Sequence, residues 1–213
     1  LNELGYNVKY KVLNASDFGV PQNRLRAFFI AIRSDRDLDF DFNKLIKRPR
    51  VTVKEAIGEL YELDQISKNE FKEKPNNRYT KYLRGINQKI YNHEIIYPAK
   101  TTQDKISNVP QGGNWRDIPS KLFNNSRNNR HSSAFKRLDE NECSVTIDTG
   151  NAHSNYFHPL YNRIPTVREA ARIQSFKDSF IIKGSRTSQY RQIGNAVPPL
   201  LAKAIALNLK KTL

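Results

Sequence analysis

Apolar and polar residues alternate near the start of the chain. Val8, Tyr10 and Val12 are separated by Lys9 and Lys11, the period-two pattern of a half-buried strand. A second strand is predicted over residues 26–32, because Arg26-Ala27-Phe28-Phe29-Ile30-Ala31-Ile32 is a nearly continuous apolar run of the kind covered on both faces. Between them, Asn14 to Asn23 is rich in Gly, Pro, Asn and Asp and reads as a loop, so the two strands are expected to be antiparallel neighbours. Ahead of them, Leu1 and Leu4 followed by Gly5 read as the end of a helix with a glycine C-cap.

Helical grammar appears at three later places. Thr52-Val53-Lys54-Glu55 and Thr166-Val167-Arg168-Glu169 are both capping boxes, Thr at the N-cap and Glu three residues on. The first predicts a helix to about Leu63 with Val53, Ile57 and Leu60 on one face. The second predicts a helix to about Ser175 with Ala170, Ile173 and Phe176 inward. Pro198-Pro199 opens a last helix to about Leu209, striped by Leu201, Ile205 and Leu209. Residues 64–130 read as irregular polar loops, and residues 134–149 as a short strand hairpin turning at Asp139-Glu140-Asn141-Glu142.

Composition narrows the function. The 213 residues hold 36 Lys and Arg against 21 Asp and Glu, a formal charge of +15, with 38% hydrophobic residues. That is too apolar for a disordered basic tail and points to a compact chain that binds a polyanion. The excess is uneven: residues 163–213 carry ten basic and two acidic side chains, residues 1–33 five and two. No apolar run approaches the roughly 18 residues of a membrane helix, and no basic-then-apolar leader is present. One cysteine excludes an internal disulfide, and four histidines without ligand spacing argue against a metal site. A reducing compartment is the expectation. With no methionine anywhere, the chain reads as a piece of a longer protein.

Two clusters carry candidate chemistry. In Gly19-Val20-Pro21-Gln22-Asn23-Arg24-Leu25-Arg26, the two arginines share a face if the strand is already regular at Arg24, and diverge if it is not. Guanidinium forks suit both a phosphate and a base carbonyl, although arginines capping loop carbonyls or facing water explain the same residues. In Gln192-Ile193-Gly194-Asn195-Ala196-Val197-Pro198-Pro199, the Asn195 amide and free N–H groups at a helix start suit an anionic or zwitterionic ligand; a plain helix cap is the simpler alternative.

Taken together, Gly-Val-Pro-Gln-Asn-Arg-x-Arg, then Arg-x-x-Thr-Val-Arg-Glu-Ala-Ala-Arg-Ile-Gln-Ser-Phe, then Gln-Ile-Gly-Asn-Ala-Val-Pro-Pro closely resemble the DNA cytosine-5 methyltransferases. They match the family's eighth, ninth and tenth blocks at Pro21–Phe28, Arg163–Phe180 and Gln192–Leu201. The resemblance implies an α/β chain: the C-terminal end of a class I S-adenosylmethionine-dependent methyltransferase fold, joined to an irregular α+β target-recognition domain. Residues 1–33 would end the catalytic sheet, 34–162 would form the recognition domain, and 163–213 would return to the catalytic domain. Apolar residues such as Phe28, Ile30, Leu201 and Ile205 would then lose part of their cover.

The family flips the target cytosine out of the duplex, attacks it with a cysteine thiolate, and transfers a methyl group from S-adenosylmethionine. By resemblance, Arg26 contacts the flipped base, Arg24 holds the adjacent backbone and Gln22 orders the loop. Thr146 and Ile147 lie beside the target nucleotide, and Asn195, Ala196 and Val197 close over the cofactor. Arg168 and Arg172 are expected as salt-bridged scaffold. Pro165 and Lys177 depart from the family pattern, standing where leucine and proline are usual. The Gly-rich cofactor block, the Pro-Cys nucleophile loop and the Glu-Asn-Val block do not occur in these residues; Cys143 lacks the Pro-Cys context.

The resemblance therefore implies the C-terminal portion of a restriction-modification enzyme, inactive alone. Its partners would be double-stranded DNA and an N-terminal catalytic portion in cis or as a separate subunit. The alternatives are a recognition subunit of a naturally split enzyme and a tRNA cytosine-5 methyltransferase relative. Base readers are expected among Arg116, Arg127, Arg130, Asn128, Asn129 and His131. Trp115 stacks on DNA or anchors a small core.

Overall fold

The computed structural model describes residues 1–65, 70–71, 73–86, 88–123, 134–147 and 156–213. Strands β1 (Tyr6–Asn14) and β2 (Leu25–Arg33) form an antiparallel ribbon running in register from Tyr6 opposite Arg33 to Asn14 opposite Leu25. Gly5, at φ 76°, ends the 3-10 turn Asn2–Leu4 in the left-handed region that glycine enters without penalty.

The run over residues 26–32 is not covered on both faces. Phe28, Ile30 and Ile32 pack half-buried against the main core. On the opposite face Leu25 and Phe29 are 64% and 67% exposed, beside Tyr10 at 72% and Val12 at 58%. Tyr10 stacks on Phe29 with ring centroids 5.7 Å apart. Of the residues expected to lose cover, Phe28 and Ile30 are half-buried while Leu201 and Ile205 are buried, and the most exposed large apolar side chains of the ribbon are Tyr10, Val12, Leu25 and Phe29. The run is apolar on both sides, but the rest of these residues packs against only one of them.

Helix α1 (Val53–Ile57) has its predicted capping box, the Thr52 side chain accepting from the Glu55 N–H and the Glu55 carboxylate from the Thr52 N–H. It does not run on as an α-helix to Leu63; the chain tightens into a 3-10 helix over Gly58–Gln65. Residues 64–130 are not irregular throughout. Helices α2 (Arg78–Arg84) and α3 (Lys100–Ser107) lie there. The first is announced by an Asn77/Thr80 capping box without an acidic residue. The second has no side-chain cap and buries only Ile106, so its sequence carries no apolar stripe.

The hairpin expected over residues 134–149 does not form among the described residues. Strand β3 (Lys136–Arg137) pairs in parallel with β4 (Tyr156–Phe157), while Ser144, past the turn, bridges to Gln22. Each arm has found a partner outside the turn. Three helices complete the described chain: α4 (Val167–Ile173), α5 (Arg186–Asn195) and α6 (Pro199–Thr212). Only Tyr190, Ile193 and Gly194 of α5 are buried, which explains why periodicity missed it. A large core extends in sequence from Leu13 to Ile205, and a smaller one gathers Ile106, Val109, Ile118, Phe135 and Phe157.

Helix α4 is buried on every side, arginines included. Arg163 makes a forked pair with Glu169 at 2.7 and 2.9 Å. Arg172 does the same with Asp178 at 2.9 and 2.6 Å and reaches Glu59 at 2.8 Å. Arg168 donates to the carbonyls of Tyr91, Lys177 and Phe180. Part of the basic excess of the last quarter is thus internal framework, unavailable to a polyanion.

Candidate functional site

The loop between β1 and β2 is pinned at both ends before any ligand is considered. Asn14 Oδ1 accepts from the backbone N–H of Ser16 and of Arg24, and the Ala15 N–H donates to the Arg24 carbonyl. Regular strand begins only at Leu25, so Arg24 and Arg26 diverge. Arg24 turns inward and is 1% exposed. It donates to the Ile147 carbonyl at 2.8 Å, to the Gln22 side chain at 3.4 Å, and to the Gly194 carbonyl. Burial, and secondarily the Arg26 charge, lowers its pKa to about 10, so it stays charged at neutral pH. In this structure Arg24 is an internal strut, enclosed by its carbonyl partners.

Gln22 is fully buried beside it. Its Oε1 accepts from the Ile147 N–H at 3.0 Å, and its amide donates to Gln174 Oε1 at 3.1 Å. Gln174, directly after α4, donates in turn to the Ile193 carbonyl at 2.7 Å and the Ala196 carbonyl at 3.5 Å. The loop, the segment at residues 144–147 and the α5–α6 junction are therefore joined by one chain of buried amide and guanidinium bonds. Buried polar groups demand partners, and a network in which each member supplies another's fixes relative position closely. Sequence reasoning missed Gln174. The available signal was an uncharged amide immediately after the last residue of α4.

Around this frame the remaining candidates are accessible to different degrees. Arg26 is half-buried, its guanidinium making a 2.7 Å bond to the Leu25 carbonyl and otherwise open among the described residues. Thr146 is exposed, its hydroxyl donating to the Asn23 carbonyl at 2.8 Å. Ile147 is fully buried in the large core, beneath the exposed Thr146. Asn195 is exposed at the end of α5, Ala196 half-buried, and Val197 41% exposed.

The helix-start reading of this second cluster also changes. Residues 192–195 close α5, and the start of α6 has two prolines without N–H groups, while the Leu200 N–H is taken by Ser175 Oγ at 3.1 Å. What this junction offers is the Asn195 amide and an apolar valine edge. It does not offer an anion cradle.

Arg116 is exposed and lies 5.3 Å over the Trp115 ring; Trp115 itself packs on the smaller core, so the anchoring reading of this tryptophan is the one observed. Arg127, Arg130, Asn128, Asn129 and His131 lie outside the described residues. The Cys143 thiol donates to the Val51 carbonyl at 3.4 Å, and burial, against the opposing pull of Arg50, raises its pKa, the opposite of an activated nucleophile. No cluster of three or more metal-ligating side chains and no membrane-length apolar helix occurs among the described residues.

Comparison with solved structures identifies the architecture. The chain superposes on a prophage-encoded DNA modification methyltransferase of E. coli with a TM-score of 0.76 at 24% identity, over 99% of this chain and 62% of that one. It has the fold of a DNA methyltransferase. The model of the C-5 cytosine-specific DNA methylase family matches residues 1–211, and the chain belongs to that family. It is 34% identical to the type II methyltransferase M.DdeI of Desulfomicrobium norvegicum, over 96% of this chain and 54% of the relative. It is 38% identical to M1.HphI of Haemophilus parahaemolyticus, over 95% and 48% respectively. The chain thus spans about half the length of these relatives.

Proposed function

We propose that this chain is the target-recognition and site-closing portion of a DNA cytosine-5 methyltransferase of a restriction-modification system. In this reading it acts on double-stranded DNA, with the nucleophilic cysteine and the main cofactor site supplied by an N-terminal catalytic portion outside these residues. The observation that carries the reading is the buried Gln22–Arg24–Gln174 frame. It fixes an otherwise open Arg26 and the exposed Thr146 relative to the junction at Asn195, Ala196 and Val197. Arg26 would donate to the carbonyl oxygen of the flipped cytosine, and Thr146 would sit at the adjacent nucleotide. Gln22 and Arg24 act through position alone.

The donor set at the junction suits the edge of S-adenosylmethionine, an exposed amide for its polar end and a valine for its apolar surface. When bound, that cofactor supplies the methyl group. Residues 34–162 would carry recognition of the duplex sequence, with Arg116 and the arginines at 127 and 130 as candidate readers. The bare face of Tyr10, Val12, Leu25 and Phe29 would receive the catalytic portion. An apolar sheet face of this kind exposed to water marks an interaction surface.

The test is methyl transfer to a cytosine-containing duplex. The chain with S-adenosylmethionine is expected to give none, and transfer is expected when the catalytic portion is supplied in cis or in trans, with bisulfite sequencing locating the product. Robust turnover by the chain alone would overturn the division of labour.

A further inference from the structure

A cavity of about 160 Å³ opens away from the Arg24 frame, between the β1–β2 loop, α1 and α2. Arg48, Arg50 and Arg78 are exposed side chains along its walls, and Tyr79, Tyr82 and Leu200 give it an aromatic and apolar lining. The carboxylate that lines it, Glu55, is committed to the Thr52 N–H in the α1 capping box. Three guanidinium groups therefore face one carboxylate. None of the three makes an ion pair among the described residues, unlike the paired arginines of α4.

The tyrosine hydroxyls are spent inward: Tyr79 donates to the Arg172 carbonyl at 2.6 Å and Tyr82 to the Ser175 carbonyl at 3.1 Å. Their rings, not their hydroxyls, are what the cavity can use.

Arg48 is also held in place. Its N–H donates to the Asp17 carbonyl at 2.9 Å and its backbone bridges to Phe18. A β-carbon built on Gly19, which sits at φ +76°, would lie 3.2 Å from Arg48 Cβ and 3.4 Å from Cδ, so the glycine lets the arginine stem lie directly on the loop. An adjoining groove shares Arg48 and Leu200 and adds Lys44, Lys203 and Lys211, extending the positive potential.

From these features we infer that the cavity is a binding site for a nucleoside phosphate. Planar guanidinium forks match phosphate oxygens, and aromatic rings match a base face; a pocket that joins the two takes a ligand that also joins them. The ligand is either a free mononucleotide or one nucleotide of a single strand, since both present the same chemistry. The site shares no residue with the Gln22–Arg24–Gln174 frame or with Arg26, and its test is independent of methyl transfer.

The probe is adenosine 5′-monophosphate, titrated into the isotopically labelled 213-residue chain while the amide resonances of Gly19 and Tyr82 are followed. Saturable, salt-sensitive shifts are expected, with adenosine and inorganic phosphate each binding more weakly. Arg48→Gln and Arg78→Gln should each weaken binding by about tenfold through loss of one charge-assisted contact. Lys121→Gln, which removes an exposed charge that does not line the cavity, should leave it unchanged. Displacement of the probe by a short single-stranded oligonucleotide would identify the ligand as part of a strand; failure to displace it would identify a free nucleotide. The inference is overturned if Gly19 does not respond, if both arginine variants bind as the parent does, if phosphate alone binds as tightly, or if only duplex DNA binds.

Discussion

Replacing Glu169 with alanine is expected to destabilise the chain by about 3–5 kcal/mol, the range for removing one partner of a buried ion pair. The carboxylate is fully buried and makes four contacts with three groups. It accepts the forked Arg163 guanidinium at 2.7 and 2.9 Å, accepts the Thr166 N–H at 2.7 Å to close the α4 capping box, and lies 3.5 Å from His158 Nε2. The Leu160 and Tyr161 N–H groups both donate to His158 Nδ1, so the imidazole is assigned its proton on Nε2, facing Glu169. Alanine would strand the Arg163 charge, empty the cap and remove the carboxylate beside the imidazole. Glutamine keeps the shape and one acceptor oxygen, so Glu169→Gln should fall between alanine and the parent.

The pH dependence of the same site has a definite sign. Burial pushes the Glu169 carboxyl up, but Arg163 and then His158 overcome it and hold it well below the ordinary value of 4.5. A carboxyl with a depressed folded-state pKa contributes fully above its unfolded value and loses that contribution as pH falls through the folded one. Urea denaturation of parent and Glu169→Gln should therefore show a stability gap that is constant near neutrality and narrows below about pH 4.5. A gap that widened with acid, or an alanine variant within about 0.5 kcal/mol of the parent, would contradict this account of the pair.

What could be read from the sequence is what local chemistry dictates. Thr52 and Thr166 announce their helices because a capping box is complete within four residues. Pro198-Pro199 does so because proline is tolerated at a helix start. The β1–β2 pairing followed from two apolar runs flanking a turn-rich loop. Helices α3 and α5 were illegible because few of their residues are buried, and a stripe requires several.

The hairpin failed for another reason. A polar turn at Asp139–Glu142 between strand-like arms does not specify the partner of each arm, and partners lay at Tyr156, Phe157 and Gln22. Charge counting misled in one place: Arg163, Arg168 and Arg172 are all buried, so the most basic segment is also the most internally paired. At the candidate site, residue types were legible and directions were not. Whether Arg24 or Arg26 points outward depends on where the strand becomes regular, and that is set by Asn14 across the loop.

That difference in direction yields the sharpest contrast between neighbouring residues. Arg24→Met is expected to lower stability by about 3 kcal/mol, because the Ile147 carbonyl, the Gly194 carbonyl and Gln22 Oε1 all lose a buried donor, offset in part by the removed cost of burying a charge. Arg24→Lys should restore little, since one ammonium cannot span acceptors on opposite sides of a planar fork. Arg26→Ala removes a half-buried side chain with a single backbone bond and should change stability by no more than about 0.5 kcal/mol. Under the proposed function its effect appears in chemistry. In the complete enzyme, methyl transfer should fall by about 10²–10³-fold, the range for removing one preorganised donor from a reacting oxygen. Urea titration of the chain and single-turnover methyl transfer by the complete enzyme separate the two classes. A strut loses stability and rate together, whereas a base contact loses rate alone. An Arg26→Ala enzyme with undiminished turnover would remove Arg26 from the target-base position, and an Arg24→Met chain as stable as its parent would show that the buried frame does not hold the three segments together.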